Sequence, residues 1–201
     1  MKIGVLGGSF DPIHNGHLYM ACCAHESFAL DQVWLIPAGH SPNKNESTMT
    51  PAEDRFKMCE IAAEKYDWLY ASRFEIDSGD RSYTYRTLQK LTKAYPADEF
   101  YFIMGGDSLD YFEEWCHPEI IASLCTILVV PRDQFDTVRL EEKIQELRAK
   151  FACDIRIVHC REYPISSTQL REVLKTGKQT ENDVLPQVLA YIQEKHLYGV
   201  G

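Results

Sequence analysis

Short apolar runs, most of them closed by glycine or proline, alternate along this chain with stretches of helical character. That alternation restricts the fold more than any other feature. Residues 2–6 run into Gly7-Gly8, residues 32–36 into Pro37, residues 100–104 into Gly105 and residues 126–130 into Pro131; residues 155–158 form a further apolar run. Each reads as a buried strand. Residues 16–29 lack a helix breaker after their first glycine and read as a helix. Thr50-Pro51-Ala52-Glu53 opens another, to about Tyr66, with Thr50 as N-cap, Pro51 in the first helical position and Glu53 reaching back in a capping box. Further helices are expected over 84–95, 140–151, 167–174 and 184–195. In the second of these, Leu140, Ile144, Leu147 and Phe151 recur at helical spacing. Residues 68–71 and 73–76 read as extended. Strands alternating with helices predict an α/β fold: a single doubly wound, mostly parallel sheet with helices on both faces, as one domain over 1–201 whose part from about 166 is helical. In such sheets ligands bind beyond the carboxyl ends of the strands. The segments to inspect are therefore 7–17, 37–44, 105–115, 131–132 and 161–171.

Composition removes several classes of function. The net charge of −9 argues against a broad duplex-DNA footprint, which needs clustered Lys and Arg, though a local pocket of donors can still take a small anion. No apolar run approaches the roughly 18 residues of a membrane span, and the apolar start is too short for a signal-peptide core. The seven cysteines, 22, 23, 59, 116, 125, 153 and 160, are odd in number and contain no Cys-x-x-Cys pair. They read as reduced thiols of a cytoplasmic protein rather than a disulfide framework or a zinc site.

The first chemical segment is Gly7-Gly8-Ser9-Phe10-Asp11-Pro12-Ile13-His14-Asn15-Gly16-His17. It is neither a P-loop nor a dinucleotide-binding glycine fingerprint. It sets two imidazoles three residues apart at a helix start, so they share a face beside backbone N–H groups that favour an anion. The alternatives are incidental histidines or a metal pair. The second segment, Ile165-Ser166-Ser167-Thr168-Gln169-Leu170-Arg171, is a helix start with three hydroxyls and an arginine one turn in, suited either to phosphate oxygens or to plain capping.

These two segments resemble the signatures of the nucleotidyltransferase superfamily marked by His-x-Gly-His, and the Gly-Gly-Ser-Phe-Asp-Pro-x-His lead is close to that of the nicotinate-nucleotide adenylyltransferases. Three more segments follow in family order. Pro37 to Lys44 is similar to the family's Pro-x-x-x-x-Pro-His-Lys, with Asn43 where the family has His; the resemblance gives Lys44 a phosphate role, while composition alone makes it a solvated loop lysine. Ser82-Tyr83-Thr84 matches the turn that in the family holds the nicotinate ring and carboxylate, largely through backbone groups, and is otherwise a cap. Gly105-Gly106-Asp107 with Trp115 resembles the family's Gly-x-Asp and downstream Trp. It implies Asp107 on a ribose or nucleotide and Trp115 stacked on nicotinate, against an N-cap aspartate and a core tryptophan. Pro131-Arg132 matches a family Pro-Arg, and Arg132 is either near phosphates or a surface arginine.

The resemblance therefore implies adenylyl transfer from ATP to nicotinate mononucleotide, a step of NAD biosynthesis. His14 and His17 are the catalytic pair. Gly8, Ser9, Phe10, Lys44, Arg132, Ser166, Ser167, Thr168 and Arg171 serve ATP and its phosphates, and Ser82, Tyr83, Thr84, Asp107 and Trp115 the nicotinate nucleotide. Mg²⁺ is expected to arrive with ATP, held mainly by substrate phosphates and water, with no metal site built from the protein. Neither nucleic acid nor membrane is expected as a partner, and assembly into a homo-oligomer stays open. The rivals are a phosphopantetheine adenylyltransferase or a cytidylyltransferase within the superfamily, a nucleotide sensor that has kept the fold but lost catalysis, and a single-strand nucleic-acid binder, which the charge disfavours.

Overall fold

The computed structural model describes all residues except 42–47, 132–136, 161–162, 164, 177–179, 181 and 201. Six strands, β1 (Lys2–Gly8), β2 (Gln32–Pro37), β3 (Leu69–Ala71), β4 (Glu99–Gly105), β5 (Thr126–Val130) and β6 (Ile155–Ile157), form one sheet in the order β3-β2-β1-β4-β5-β6. Every pairing between them is parallel. This is the doubly wound arrangement the alternation predicts.

Its core explains why the strands read as unbroken apolar runs. Consecutive strand residues point to opposite faces, and both faces are covered. Leu6, Ile103 and Leu128 enter the layer beneath α1 (Asn15–Phe28), α2 (Ala52–Ala63), α7 (Ser167–Lys175) and α8 (Pro186–Glu194). Their neighbours Val5, Phe102 and Ile127 enter the layer beneath α3 (Thr84–Ala94), α5 (Pro118–Leu124) and α6 (Thr137–Phe151). The strand order reverses between β1 and β4, so their carboxyl ends open a crevice into which the loops carrying the motifs project.

Several local expectations are corrected. Gly7 and Gly8 do not stop β1; both belong to it and pair with Ile36 and Pro37. Thr50 is not the cap of α2: the N-cap is Pro51, with no side-chain capping bond, and the helix stops at Ala63 rather than near Tyr66. The Thr50 carbonyl is taken by Arg55 Nε at 2.9 Å. Glu53 does not reach back either, because it forms a bidentate pair with Arg73, both N···O distances 2.8 Å. The same arginine removes the expected strand at 73–76. Held by Glu53 and by Asp77 at 3.1 Å, Arg73 starts a turn closed by the Asp77 N–H donating to its carbonyl. Two short helices went unread, α4 (Gly106–Asp110) and α5, although Pro118 at the first position of α5 is a helix-start signal. The seven cysteines form no disulfide among the described residues. No helix among them is long and apolar enough to cross a membrane.

Candidate active site

Two helix starts meet above the crevice. His14 is the extended N-cap of α1, and its backbone N–H donates to Nδ1 of His17 at 3.3 Å. With Nδ1 accepting, the neutral His17 ring carries its proton on Nε2, a donor for a ligand oxygen. The two imidazoles stack at 3.7 Å, and the buried Phe10 ring meets His17 edge-on at 4.9 Å. His17 is therefore held between two rings. Phe10 itself is a buried packing residue of the loop, in a left-handed conformation at φ 47°. Gly16, between the histidines, is demanded by contact: a Cβ there would lie 2.6 Å from Ile165 Cγ2 and 3.0 Å from His14 Nδ1. The small residue lets the segment before α7 press against α1.

The second signature is bound to the first. Ser166 caps α7 by accepting the Gln169 N–H at 3.2 Å. Ser167 Oγ donates to the Pro12 carbonyl at 3.1 Å, and Arg171 Nη1 to the Asp11 carbonyl at 2.7 Å. Arg171 Nη2 also reaches Thr168 Oγ1 at 3.3 Å. A cavity of 300 Å³ lies between them, lined by Ser9, His17, Ser167, Thr168 and Arg171. A second cavity of 280 Å³ continues past His14 and His17 to Gly105, Asp107 and Trp115. A third, of 670 Å³, runs from Gly8 and Ser9 to Ser82, Tyr83, Thr84 and the other side of Trp115. Trp115 is half-buried, tilted against Phe112 and edge-on to Phe102, so it walls two cavities rather than filling the core. Tyr83 caps α3 without a side-chain bond, leaving the N–H groups of Thr84, which lines the third cavity, and of Tyr85 without intrahelical acceptors.

The structure thus brings together His14, His17, Gly8, Ser9, Phe10, Ser166, Ser167, Thr168, Arg171, Ser82, Tyr83, Thr84, Asp107 and Trp115 around one continuous cleft. Lys44 and Arg132, together with Asn43, lie outside the described residues. Among the described residues no group of three or more His, Cys, Asp or Glu side chains could hold a metal ion.

Three supporting residues escaped the sequence reading. Arg55 is 2% exposed and donates to the carbonyls of Ser9 at 2.7 Å, Ala38 at 2.6 Å and Thr50 at 2.9 Å, tying the loops after β1 and β2 to the start of α2. Burial lowers its affinity for a proton and the nearby Asp11 restores part of it. Its signal was available: Arg55 stands on the stripe Arg55, Met58, Cys59, Ala62 that faces the core. Tyr198 donates to the buried Asp11 carboxylate at 2.8 Å, across 187 residues of chain, and burial with that carboxylate pushes the phenol up. Glu75 is 9% exposed and lines the third cavity.

Known proteins resemble this chain in sequence and in fold. The cytidylyltransferase-like family profile matches residues 5–173. A protein of Clostridium botulinum (strain Loch Maree / Type A3) named probable nicotinate-nucleotide adenylyltransferase is 37% identical over 195 residues, covering 96% of this chain and 97% of that one. A Bacillus cytotoxicus protein of the same name is 36% identical over 197 residues, 98% of each. In fold, the chain is similar to Plasmodium falciparum nicotinic acid mononucleotide adenylyltransferase complexed with NaAD, with TM-score 0.79 and 19% identity over 100% of this chain and 98% of that one. A putative nicotinate-nucleotide adenylyltransferase from Vibrio parahaemolyticus superposes with TM-score 0.68 at 21% identity, over 98% and 94% of the two chains. On the strength of the family match and of relatives above one-third identity along its length, the chain belongs to the cytidylyltransferase-like nucleotidyltransferases and, within them, to the nicotinate-nucleotide adenylyltransferases.

Proposed function

We propose that this protein transfers the adenylyl group of ATP to nicotinate mononucleotide, releasing pyrophosphate and forming nicotinate adenine dinucleotide, in the cytoplasmic route to NAD. The observation that carries the reading is the position of His17 on the wall shared by two cavities, one ringed by Ser9, Thr168 and Arg171 and the other leading to Asp107 and Trp115. A group transferred between two nucleotides needs such a boundary. The names of the bacterial relatives supply the pyridine nucleotide.

The 5′-phosphate oxygen of the mononucleotide attacks the α-phosphorus of ATP, and the bond from that phosphorus to the bridging oxygen breaks. The attacking phosphate is already ionised, so the chain needs neither a base nor a covalent nucleophile. It contributes position and charge. His17 Nε2–H donates to the α-phosphate, where charge shifts during transfer. Its orientation is supported by the His14 N–H and the flanking rings. His14 assists along the phosphate chain. Ser166, Ser167, Thr168 and Arg171, with Gly8, Ser9, Lys44 and Arg132, hold the phosphates that leave. Asp107 takes ribose hydroxyls and Trp115 stacks on the pyridine ring. The carboxylate meets the open N–H groups at the start of α3, beside Ser82, Tyr83 and Thr84. A Mg²⁺ ion accompanying ATP would be held by substrate oxygens and water and would supply neutralisation of phosphate charge.

Pyrophosphate release with Mg²⁺-ATP, compared between nicotinate and nicotinamide mononucleotide, tests the reading. Marked preference for the acid is the expected result. Turnover with phosphopantetheine or with CTP, and with neither mononucleotide, would move the chain to another branch of the superfamily.

A further inference from the structure

Glu75 is the anomaly of the third cavity: a buried carboxyl in the pocket proposed for a substrate that is itself a carboxylate. Its hydrogen bonds indicate why it is there. Oε1 accepts the hydroxyl of Thr87, on the first turn of α3, at 2.6 Å. Ser82, the residue before the Tyr83 N-cap, lines the same cavity as Glu75. Ser82 Oγ in turn accepts the His40 N–H at 3.3 Å, and the Ser82 N–H donates to the His40 carbonyl at 2.9 Å. Residues 40 and 81 form a parallel bridge at the same point. Gly39 packs so tightly on this turn that a Cβ would lie 2.7 Å from the Glu75 carbonyl oxygen. Residue 75 thus joins the loop after β2, through the contact of its carbonyl with Gly39, to the first turn of α3, through its carboxyl. That helix start carries the open Thr84 and Tyr85 N–H groups.

We propose that Glu75 is a positioning residue that aims the start of α3 into the third cavity and thereby sets the preference for a pyridine nucleotide bearing a carboxylate over its amide. The proposal rests on the adenylyl-transfer reading for the identity of the substrate. A carboxylate needs two N–H donors held at fixed separation, whereas an amide can present its own donor to a carbonyl. Loosening the helix start therefore penalises the acid more than the amide. Burial also pushes the Glu75 carboxyl above the ordinary value of 4.5, against the pull of the Thr87 and Ser82 hydroxyls, Arg55 and Lys90.

The test compares wild type, E75A, E75Q and T87V. The last removes the 2.6 Å bond from the other side with little change of shape, so the proposal does not depend on E75A folding. Binding of nicotinate and nicotinamide mononucleotide is titrated directly by Trp fluorescence, and pyrophosphate release gives KM and kcat. The expected result for E75A and T87V is a loss of about tenfold in affinity for the acid, with little change for the amide, for the KM of ATP or for kcat; one lost buried hydrogen bond is of that order. E75Q keeps an acceptor for Thr87 and recovers most of the acid preference. Equal losses for acid and amide, or tighter binding of the acid in E75A, would overturn the positioning role. If the wild type turned over neither mononucleotide, the adenylyl-transfer reading would fail, while the two titrations would still decide whether Glu75 governs the choice between carboxylate and amide.

Discussion

The end of the cleft proposed for the phosphates and the end proposed for the pyridine are built in different ways. At the first, side chains reach back to main-chain carbonyls: Arg55 to Ser9, Ala38 and Thr50, Arg171 to Asp11, and Ser167 to Pro12. The backbone that approaches the phosphates is stitched from behind before any ligand arrives. At the pyridine end the ligand-facing groups are an uncapped helix start and one tilted tryptophan, supported by the bonds of Glu75. In the proposed reaction, charge moves at the first end, which is held by these bonds, and the substrate is only recognised at the second, which presents donors and a flat wall. Electrostatic stabilisation of a transition state depends on donors that do not reorganise, and recognition tolerates more give.

Changes at the two ends should therefore be felt in different quantities. The largest expected effect is Arg55→Met, which leaves the buried Ala38 carbonyl and the part-buried carbonyls of Ser9 and Thr50 without their donor: at ~1–3 kcal/mol for a buried acceptor left unpaired and less for a part-buried one, unfolding in urea should show a loss of about 2–4 kcal/mol. A loss below about 1 kcal/mol would remove the claim that the phosphate loops are stitched from behind. His17→Ala should lower turnover at saturating substrate by about 10²–10³, as for removal of one preorganised donor, with a small fall in melting temperature from the lost bond to the His14 N–H. Near wild-type turnover would void its catalytic assignment. Trp115→Ala should weaken binding of the mononucleotide by about 1–3 kcal/mol, the range for stacking of a base on an aromatic side chain, and leave the KM of ATP nearly unchanged. If ATP suffered as much, the separation of the two ends would not hold.

The smallest effect concerns pH. Glu75 titrates above its ordinary 4.5 in the folded protein, so between 4.5 and the folded-state value the native chain holds a proton that the unfolded chain has lost. Stability then falls as pH rises through that interval. The contribution is fully present below 4.5 and gone above the folded-state value. E75Q should flatten this part of the stability profile measured by urea unfolding, and an unaltered slope would assign it to other groups.

How much of this was legible in the sequence follows from which forces are local. Strands buried on both faces announce themselves as apolar runs, and the two signatures lie at helix starts whose residues are contiguous, so Gly8 to His17 and Ser166 to Arg171 could be read directly. What failed depended on partners distant in sequence. Thr50 has every local mark of an N-cap, but its carbonyl goes to Arg55 and the helix starts from Pro51. Arg73 has neighbours suited to a strand, but Glu53 and Asp77 draw it into a turn. Glu75 and Tyr198 carried no local signal, since what each holds, Thr87 in one case and Asp11 in the other, is fixed only by the folded topology.

The bond from Tyr198 to Asp11 has a consequence in time. The loop that bears the histidine signature leaves the ribosome well before two of its holders, Arg171 and Tyr198, which are made 160 and 187 residues after Asp11. At about 5–20 residues per second in bacterial synthesis, the loop waits on the order of ten seconds or more for them. During translation, then, the chain passes through nascent forms that own the whole histidine motif and β1 but lack the clasps that hold the loop. Activity should switch on late and abruptly along the series of stalled nascent chains, with the emergence of Tyr198 rather than of His17.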